Sequence, residues 1–455
     1  MYKVNWRLPS YIEHRVADIM HRRKLNGWDF DTPKAKSHVE WLESEQQRTE
    51  QIIRPYIGNE VIHTNRISKP FRKDGTLSEQ AKKHYDDVGD ISGPFNKIRF
   101  EPINLGSRQK IAQRMLAHGW EPTEYTEKGS PKLTIDGKPC PNLEQMDDEL
   151  GPAVAHWYNC NHRLGVIRGW VDNVQEDGRI YYSVNPCGTN TRRMRHQLVV
   201  NVPKAEDKVF FGREMRELFI ARDPYKLVGI DAAGMENRVI AHYMLLVAGD
   251  KAKNEIEPIL DPEIDFHTRF WEAISDFIES RSHAKNVEYA YFFGAQDYKL
   301  GTMANFVPRR LKNANPERVG QEIRAAIGNR FPSLNQVLEY VAWHVKKYGY
   351  LVAPDGSKLY PRGDHSAFNT WVQGTGQVFF KTALCFADRW FNEEELDYAL
   401  VGVFHDEMQS RVHPNSIDRY RELSELAMVK AGEFLDLKVP MEGESVVGTN
   451  WAETH

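Results

Sequence analysis

Two apolar runs, far apart in the chain, each lead into an acidic residue. The run KLVGI ends at Asp231, and the run ALVGVF is followed by His405, Asp406 and Glu407. Short apolar runs of this length, rich in Val, Ile and Leu, are typical of buried strands. We therefore predict two strands that each deliver a carboxylate. Two carboxylates that converge from separate strands can hold a pair of divalent cations for phosphoryl transfer.

A helical pattern lies between these two runs, in the segment RSHAKNVEYAYFFG at 281–294. Arg281, Lys285 and Tyr289 are spaced four residues apart, which places them on one face of a helix. Two cations and an aromatic ring on a shared face suit an incoming nucleotide, because the cations meet the triphosphate and the ring lies under the base and sugar.

Helical periodicity also covers residues 10–27 and 37–57, and the turn NGWDFD separates these two helices. Residues 58–104 differ from both, since they show little periodicity and contain the turn-forming pairs Lys69-Pro70 and Asp74-Gly75. We predict an irregular, basic segment there.

Composition excludes few classes of protein. A chain of 455 residues is long enough for three compact units at about 150 residues each. No apolar run reaches membrane-spanning length, and the N-terminus lacks the apolar core of a secretory signal. Cys140, Cys160, Cys187 and Cys385 lie far apart, so we expect reduced thiols in a cytosol.

The net charge of −4 does not exclude nucleic acid, because binding depends on where the charges lie. Basic residues cluster in three places: Arg192, Arg193, Arg195 and His196; Arg66, Lys69, Arg72 and Lys73; and Arg309, Arg310 and Lys312. Each cluster on its own is also compatible with an ordinary solvated surface.

Three ordered motifs carry a resemblance to a known family. Asp231-Ala-Ala-Gly-Met-Glu236-Asn-Arg238 is similar to D-x-S-G-L-E-x-R, and the helix with Arg281, Lys285, Tyr289, Phe293 and Gly294 is similar to R-x3-K-x3-[FY]-x3-[YF]-G. The triplet His405-Asp406-Glu407 is the third motif. In this order they resemble motifs A, B and C of family-A DNA polymerases, the polymerase I type.

The resemblance runs nearly end to end and is closest to the replicative polymerases of T-odd-like bacteriophages. It includes a thumb-like segment, a palm segment that contacts template and primer, the entry to the fingers, a minor-groove segment and the terminal GTNWAETH: residues 106–133, 177–204, 265–271, 369–376 and 448–455. Ala233 stands where the family commonly has serine in motif A, and Phe293 where many relatives have tyrosine.

The resemblance implies an α+β, right-hand polymerase fold with an antiparallel-sheet palm, helical fingers and a helical thumb. It assigns 1–170 to the thumb, with 58–104 as an insertion between thumb helices, and 171–250 to the first part of the palm with motif A. Residues 251–349 form the fingers with motif B, and 350–455 the second part of the palm with motif C.

The function implied is template-directed addition of dNTPs to a DNA primer with two Mg2+ ions. Asp231, Asp406 and Lys285 are the expected catalytic residues. The expected metal ligands are Asp231, Ala232 (through its carbonyl), Asp406 and Glu407. The expected nucleotide-binding residues are Arg281, Lys285, Tyr289, His267 and Glu236. The expected DNA-binding residues are Arg193, Asn201, Arg238, Gln373, His405 and Phe293. For His267, a helix-start residue without a ligand is the alternative.

Glu236 separates DNA from RNA synthesis in this interpretation. By resemblance it closes the space beside the sugar 2′ carbon and pairs with the hydroxyl of Tyr289, so that a ribonucleotide clashes or leaves polar groups unpaired. Single-subunit RNA polymerases have a small residue at that place in motif A.

Partners and location follow from the same resemblance. We expect primer–template DNA and dNTPs as partners, no membrane, and the cytoplasm of an infected bacterial host. The basic insertion either contacts duplex DNA directly or, as in some phage relatives, binds a thioredoxin-type processivity factor. Since Met1 lies close to the first thumb-type helix, we expect no 3′–5′ exonuclease domain on this chain, and a separate nuclease subunit or a longer parent protein. A catalytically idle DNA-binding subunit is the alternative from another class. It predicts loss of a metal carboxylate or of Lys285, and neither is lost. A repair or translesion role stays open.

Overall fold

The structure is a computed structural model that describes residues 2–83, 90–126, 128–135, 138–260, 266–292, 294–306, 308, 311 and 314–454. Phe293 and the cluster Arg309, Arg310 and Lys312 therefore lie outside the described residues.

Helices account for most of the regular structure. The described α-helices are α1 Arg7–Asn26, α2 Thr32–Ile57, α3 Glu79–Lys82, α4 Arg108–Ala117, α5 Pro141–Glu144, α6 Leu150–Val171, α7 Gly212–Arg216, α8 Met235–Ala248, α9 Lys253–Leu260, α10 Phe266–Ile274, α11 Arg281–Phe292, α12 Asp297–Thr302, α13 Pro316–Arg330, α14 Pro332–Tyr348, α15 Ala367–Glu393 and α16 Ile417–Phe434. The described 3-10 helices are Gly249–Ala252, Asp364–Ser366 and Pro414–Ser416.

The strands are short, apart from a few. They are β1 Trp28–Phe30, β2 Asn59–Ile67, β3 Phe95–Pro102, β4 Thr134–Ile135, β5 Lys138–Pro139, β6 Arg179–Ile180, β7 Val184–Asn185, β8 Arg195–His196, β9 Phe219–Ile220, β10 Lys226–Ala232, β11 Leu351–Val352, β12 Lys358–Leu359, β13 Tyr398–Phe404, β14 Glu407–Val412 and β15 Gly443–Gly448.

The chain divides into two compact units. The first consists of Met1–Thr32 together with Asn173–His455, and the second of Pro33–Asp172. The expected thumb range 1–170 differs from this division at its start, because α1 belongs to the first unit. Ile12 and Val16 of α1 are buried in the core of that unit, and Asn26 donates a 2.9 Å hydrogen bond to the carbonyl of Leu400 on β13. The four-part assignment itself stays a prediction.

A four-stranded antiparallel sheet, in the order β13-β14-β10-β15, forms the centre of the first unit. Both strands predicted from apolar runs are present as β10 and β13. Leu227, Val228 and Ile230 of β10 are completely buried, which is why this strand is apolar almost throughout. Gly229 lacks a side chain for a separate reason: a Cβ atom there would collide with the carbonyl oxygen of Thr454.

Helices α8, α15 and α16 surround this sheet with one continuous hydrophobic core. The hydroxyl of Tyr420 on α16 donates to Ser410 of β14 at 2.7 Å, so this helix is tied to the sheet by a buried polar contact as well as by apolar packing. The long α15 is buried along most of its length, including Gln377 and Lys381.

An aromatic cluster joins a small three-stranded sheet, β6-β1-β9, to the hairpin β13–β14. Trp28 of β1 packs against Phe219 at a centroid distance of 4.9 Å and against Trp451 at 5.2 Å, and Phe404 stacks on Trp451 at 4.7 Å. The cluster fixes the end of β13, where the second acidic residue lies.

The second unit has its own hydrophobic core. Apolar residues of α2, α4 and α6 pack together with Trp120 and Leu133. The hairpin of β2 and β3 and the short hairpin of β4 and β5 complete the unit.

Two local predictions were wrong. Residues 58–104 are not irregular throughout, because β2 and β3 pair as an antiparallel ribbon. Both faces of β2 are largely exposed, so no apolar alternation marks it in the sequence. The segment Asp29-Phe30-Asp31 is not only a turn, since Trp28–Phe30 forms the middle strand of the three-stranded sheet.

Among the described residues, no helix is both long and apolar enough to cross a membrane.

Trp28→Ala should destabilise the first unit strongly, because it removes the buried centre of the aromatic cluster. Truncation of a buried Trp costs about 3–5 kcal/mol. The melting temperature measured by circular dichroism should fall by several degrees. Trp6→Ala is the matched control, since Trp6 is 60% exposed and its loss should leave the melting temperature nearly unchanged. Equal melting temperatures for the two variants would contradict the role of the cluster.

Candidate active site

Asp231 lies near the end of β10, between two neighbouring strands. It pairs with Glu407 of β14 on one side and with Glu444 of β15 on the other. The next residue, Ala232, is buried and pairs with Gly443. Because the apolar residues of β10 fix this strand in the sheet, the Asp231 carboxylate is held near the C-terminal end of this central strand.

Asp406 lies at the same end of the sheet, in a two-residue turn. His405 and Asp406 connect β13 to β14, and His405 has a φ of 51°, as tight two-residue hairpins require of a central residue. The amide of Ala232 donates a 3.1 Å hydrogen bond to the Asp406 carbonyl. This bond ties the ends of β10 and of the hairpin together, so the two predicted carboxylates line one cleft.

Asp406 is partly buried in this cleft. Burial raises the pKa of the Asp406 carboxyl group, and the nearby charges of His405 and Arg193 partly offset that effect. Burial also lowers the pKa of His405, and Arg193 adds to the decrease. A cation bound to the carboxylate would favour its charged form.

The donor set fits Mg2+. Two carboxylates and the backbone carbonyl at Ala232 are hard oxygen donors, and Mg2+ commonly takes only one or two protein carboxylates and completes its octahedron with water and substrate phosphates. In the part of the chain that the structure describes, no cluster of three or more His, Cys, Asp or Glu side chains offers an all-protein metal cage.

Glu407, the third acidic residue of the expected set, is almost fully buried. Its Oε1 accepts hydrogen bonds from Gln409 Nε2 and from Trp451 Nε1, both at 2.6 Å. The guanidinium of Arg216 lies 4.4 Å from the Trp451 ring centroid. The role of Glu407 as a metal ligand stays a prediction, and these contacts show that it also anchors the C-terminal segment beneath the cleft.

Helix α11 presents the predicted face of Arg281, Lys285 and Tyr289. The opposite face, which includes Ala284 and Val287, is buried in the core, so the two cations are left on the outer side. Arg281 Nε donates to the Thr268 hydroxyl at 3.2 Å. Lys285 Nζ lies 5.9 Å from the Tyr289 ring centroid. The helix thus keeps cations and ring together, as the spacing predicts.

His267 of α10 lies beside this face. Its Nδ1 is 2.8 Å from Oε2 of the completely buried Glu288, and its ring centroid is 6.1 Å from that of Tyr289. The carboxylate therefore fixes the orientation of the imidazole next to the cation face. A phosphate contact by His267 stays a prediction.

Glu236 and Tyr289 line one small pocket, together with Asn237, Phe292 and Asn369. Burial raises the pKa of the Glu236 carboxyl group, and it also raises the pKa of Tyr289, with Glu236 contributing. The first turn of α8 and the face of α11 are therefore brought together, as the gate hypothesis requires.

Arg193 connects this pocket to the carboxylates. Its guanidinium donates a 2.8 Å hydrogen bond to Oε1 of Glu236 and influences the pKa of His405 and Asp406. The neighbouring Arg192 is buried and bonded to Asp355 at 2.6 Å, which anchors the loop that carries Arg193. Glu236 is thus paired with Arg193, a residue for which the sequence predicts a DNA contact.

The other expected DNA-binding residues are placed differently from one another. Asn201 has a φ of 51° and lines the cleft of the two carboxylates with Lys204. Gln373 is half-buried on α15, one turn after Asn369. Phe293 lies outside the described residues.

Arg238 is largely engaged in contacts within the protein. Its side chain is 8% exposed, and it donates to the carbonyls of Ala233 at 3.0 Å and Pro440 at 2.8 Å and to the carboxylate of Glu442. These contacts hold the turn after Asp231 against the loop before β15. The guanidinium is therefore engaged within the protein, and a DNA contact by Arg238 stays a prediction.

Three positioning residues were missed from the sequence: Gln377, Gln409 and Trp451. Gln377 is fully buried on α15, and its Nε2 donates to the His405 carbonyl at 2.9 Å, which fixes the turn that carries Asp406. A polar residue in the apolar run QVFFKTALCF was the available signal. For Trp451, the resemblance of the terminal segment GTNWAETH was the available signal. Its indole donates to Glu407, so it has a positioning role.

Comparisons with known proteins agree with this arrangement. Residues 74–453 match the sequence profile of DNA polymerase family A. The DNA-directed DNA polymerase of Escherichia phage Phieco32 is 22% identical and is aligned over 98% of this chain and 99% of its own. That of Escherichia phage T7 is 27% identical over 98% of this chain and 70% of its own.

A solved structure extends the comparison to the fold. The polymerase domain of Pol1 from M. smegmatis, in complex with DNA primer-template and dNTP, superimposes with a TM-score of 0.72 at 18% identity. It covers 97% of this chain and 70% of that chain. The expected α+β polymerase fold is confirmed.

Asp406→Asn should weaken divalent cation binding, because it removes one of the two charged oxygen donors of the cleft. We expect a loss of at least about tenfold, since even groups that only orient a metal ligand contribute 10–100-fold. Mn2+ binding followed by electron paramagnetic resonance measures this. Asp250→Asn is the matched control, because the Asp250 side chain is 88% exposed. Equal Mn2+ affinity in both variants would contradict the assignment.

Proposed function

The chain belongs to DNA polymerase family A, and on that premise we propose that it is a DNA-directed DNA polymerase that adds dNTPs to the 3′-hydroxyl of a primer. The observation that carries this proposal is the joining of Asp231 and Asp406 at one cleft by the bond from the Ala232 amide to the Asp406 carbonyl. The cation face of α11 and the pocket of Glu236 and Tyr289 lie in the same unit.

Asp231, Asp406 and the carbonyl of Ala232 would hold two Mg2+ ions. When bound, these ions supply positive charge that activates the primer hydroxyl and stabilises the pyrophosphate leaving group. In the reaction the 3′-oxygen forms a bond to the α-phosphorus, and the bond from that phosphorus to pyrophosphate breaks. The support for this arrangement is the oxygen-only donor set and the single cleft that Asp231 and Asp406 line together.

Arg281 and Lys285 bind the triphosphate in this proposal. Their helix face is kept outward by the buried residues on the opposite side, so both cations can meet phosphate oxygens. Charge that develops on the phosphates is stabilised by such preplaced cations, an effect worth a few kcal/mol per group. Lys285 would also give a proton to the leaving pyrophosphate.

Glu236 selects the sugar. It lies in a small pocket opposite Tyr289, where a 2′-hydroxyl would meet a partly desolvated carboxylate. Arg193 binds the carboxylate at 2.8 Å, and this ion pair fixes its position. The class of polymerase proposed is therefore one that uses deoxynucleotides.

The partners proposed are primer–template DNA and dNTPs, which are the ligands in the M. smegmatis polymerase complex. The similarity to phage polymerases supports action in the cytoplasm of an infected bacterium. We keep the expectation that this chain has no 3′–5′ exonuclease activity. In its support, Asp29 of the segment Asp29-Phe30-Asp31 is 2% exposed and bound to Arg179 at 2.9 Å, so its carboxylate is engaged within the protein.

Primer extension tests the proposal directly. The wild-type chain should extend a labelled primer on a DNA template with Mg2+ and dNTPs, and Asp406→Asn should lower the rate by at least about a hundredfold, since loss of one charge-stabilising group costs 10²–10³ in kcat. Its affinity for primer–template DNA should change little. Asp250→Asn should extend normally. A wild-type chain that binds the substrate and does not extend it would favour the idle-subunit alternative.

Glu236→Ala should relax sugar selection. Removing the side chain opens the space beside the 2′ carbon, so the ratio of ribonucleotide to deoxyribonucleotide incorporation should rise by about 100-fold. Single-nucleotide incorporation kinetics with dATP and ATP measure this ratio. Glu257→Ala, at an exposed position of α9, should leave it unchanged. An unchanged ratio of ribonucleotide to deoxyribonucleotide incorporation in Glu236→Ala would contradict the role of Glu236 in sugar selection.

A further inference from the structure

A row of aromatic rings lies on the surface where α14 ends and the hairpin β11–β12 begins. We name it the aromatic strip, and it consists of Trp343, Tyr348, Tyr350 and Tyr360. Successive ring centroids along it are 6.1, 6.3 and 6.1 Å apart. Trp343 is 52% exposed, Tyr348 46% and Tyr360 55%. Large rings so exposed and so close together are unusual for a surface that binds nothing.

Lysines alternate with these rings. Lys347 Nζ lies 4.9 Å from the Trp343 centroid and 5.1 Å from that of Tyr348, and Lys358 Nζ lies 4.2 Å from that of Tyr350. Lys346 is exposed beside them. Within the described ranges, none of these three lysines forms an ion pair with an acidic side chain, so the strip carries net positive charge.

The strip is held rigidly. Tyr340, one turn before Trp343, packs on the buried Trp371 of α15 at 5.7 Å. The indole of Trp371 donates to the Val352 carbonyl at 2.9 Å, and His344 Nδ1 lies 2.8 Å from the Tyr350 carbonyl. These contacts anchor the backbone segments that carry the rings, which lowers the entropic cost of binding.

The strip also lies next to the loop that carries Arg193. Asn190 of that loop donates a 3.3 Å hydrogen bond to the Tyr360 carbonyl. The acidic residue of the hairpin turn, Asp355, points into the protein and binds Arg192. The loop thus neutralises the nearby carboxylate of Asp355, and the same loop carries Arg193, which contacts Glu236.

We propose that the aromatic strip binds the unpaired template strand ahead of the active site. Bases stack on the rings in this arrangement, and the lysines contact phosphates, a combination that suits single-stranded DNA without regard to its sequence. The inference rests on the proposed function, which supplies the template. An acidic peptide would use the cations and leave the row of regularly spaced rings without a role, so single-stranded DNA is favoured.

Binding to primer–templates with 5′ template overhangs of different length tests this proposal. Fluorescence anisotropy should show that wild type binds a long overhang more tightly than a one-nucleotide overhang. In the double variant Trp343→Ala, Tyr360→Ala this advantage should fall by roughly tenfold or more, the usual effect of removing stacking partners. Trp343→Phe should retain most of it. Tyr11→Ala, which removes a ring that is 62% exposed on α1, is the matched control and should retain all of it.

Single-nucleotide incorporation on the short overhang should be unchanged in every one of these variants, which shows that they are folded and active. A wild-type chain that extends no primer would contradict the proposed function and not the strip. Normal extension with an overhang advantage that survives in the double variant would overturn the strip. Equal loss on short and long overhangs would also overturn it, as would binding of a polyglutamate peptide that depends on the strip while DNA binding does not.

Photo-crosslinking locates the contact independently of substitutions. Templates with 5-iodouracil at single positions of the overhang should crosslink wild type at Trp343, Tyr348 or Tyr360. Crosslinks confined to other parts of the chain would contradict the proposal.

Discussion

One backbone hydrogen bond, from the Ala232 amide to the Asp406 carbonyl, is the constraint on which the site depends. Two carboxylates at one end of the sheet repel each other, and burial disfavours their charge, so the arrangement needs rigid support. The support comes from packed elements: β10 is locked between two strands, Gln377 holds the turn from α15, and Trp451 holds Glu407 from the C-terminal segment. The carboxylates are thus preorganised, and a pair of cations would relieve their mutual repulsion.

Arg193 links the two carboxylates to the residue proposed to select the sugar. It binds Glu236 and lies close enough to His405 and Asp406 to influence their pKa values, so one cation connects the proposed gate with the proposed metal site. Its loop is anchored through Arg192 and Asp355, and it also touches Tyr360 of the aromatic strip through Asn190. The loop therefore contacts Glu236, which is the proposed sugar gate, and Tyr360 of the proposed template surface, and it lies near the two carboxylates in the first unit.

Sequence reasoning found the elements whose periodicity is strong, and it failed where tertiary contacts decide. β10, β13 and the cation face of α11 follow from apolar runs and four-residue spacing. The ribbon of β2 and β3 did not, because both of its faces are largely exposed and leave no alternation to detect. Arg238 has the charge of a DNA contact, and only its distant partners at 440–442 show that it is used internally. Gln377 was missed for the same reason, since its partner lies 28 residues away.

Crystallography can show whether Asp231 and Asp406 together hold the reacting phosphate through metal ions. The chain should be crystallised with a dideoxy-terminated primer–template, the next dNTP and Mn2+, and anomalous difference maps should be calculated at the manganese edge. We expect two anomalous peaks between the two carboxylates, about 3.5–4 Å apart as in other two-metal sites. The triphosphate should lie against Arg281 and Lys285. Peaks bound elsewhere, or a bound dNTP with no metal at either carboxylate, would contradict the two-metal proposal.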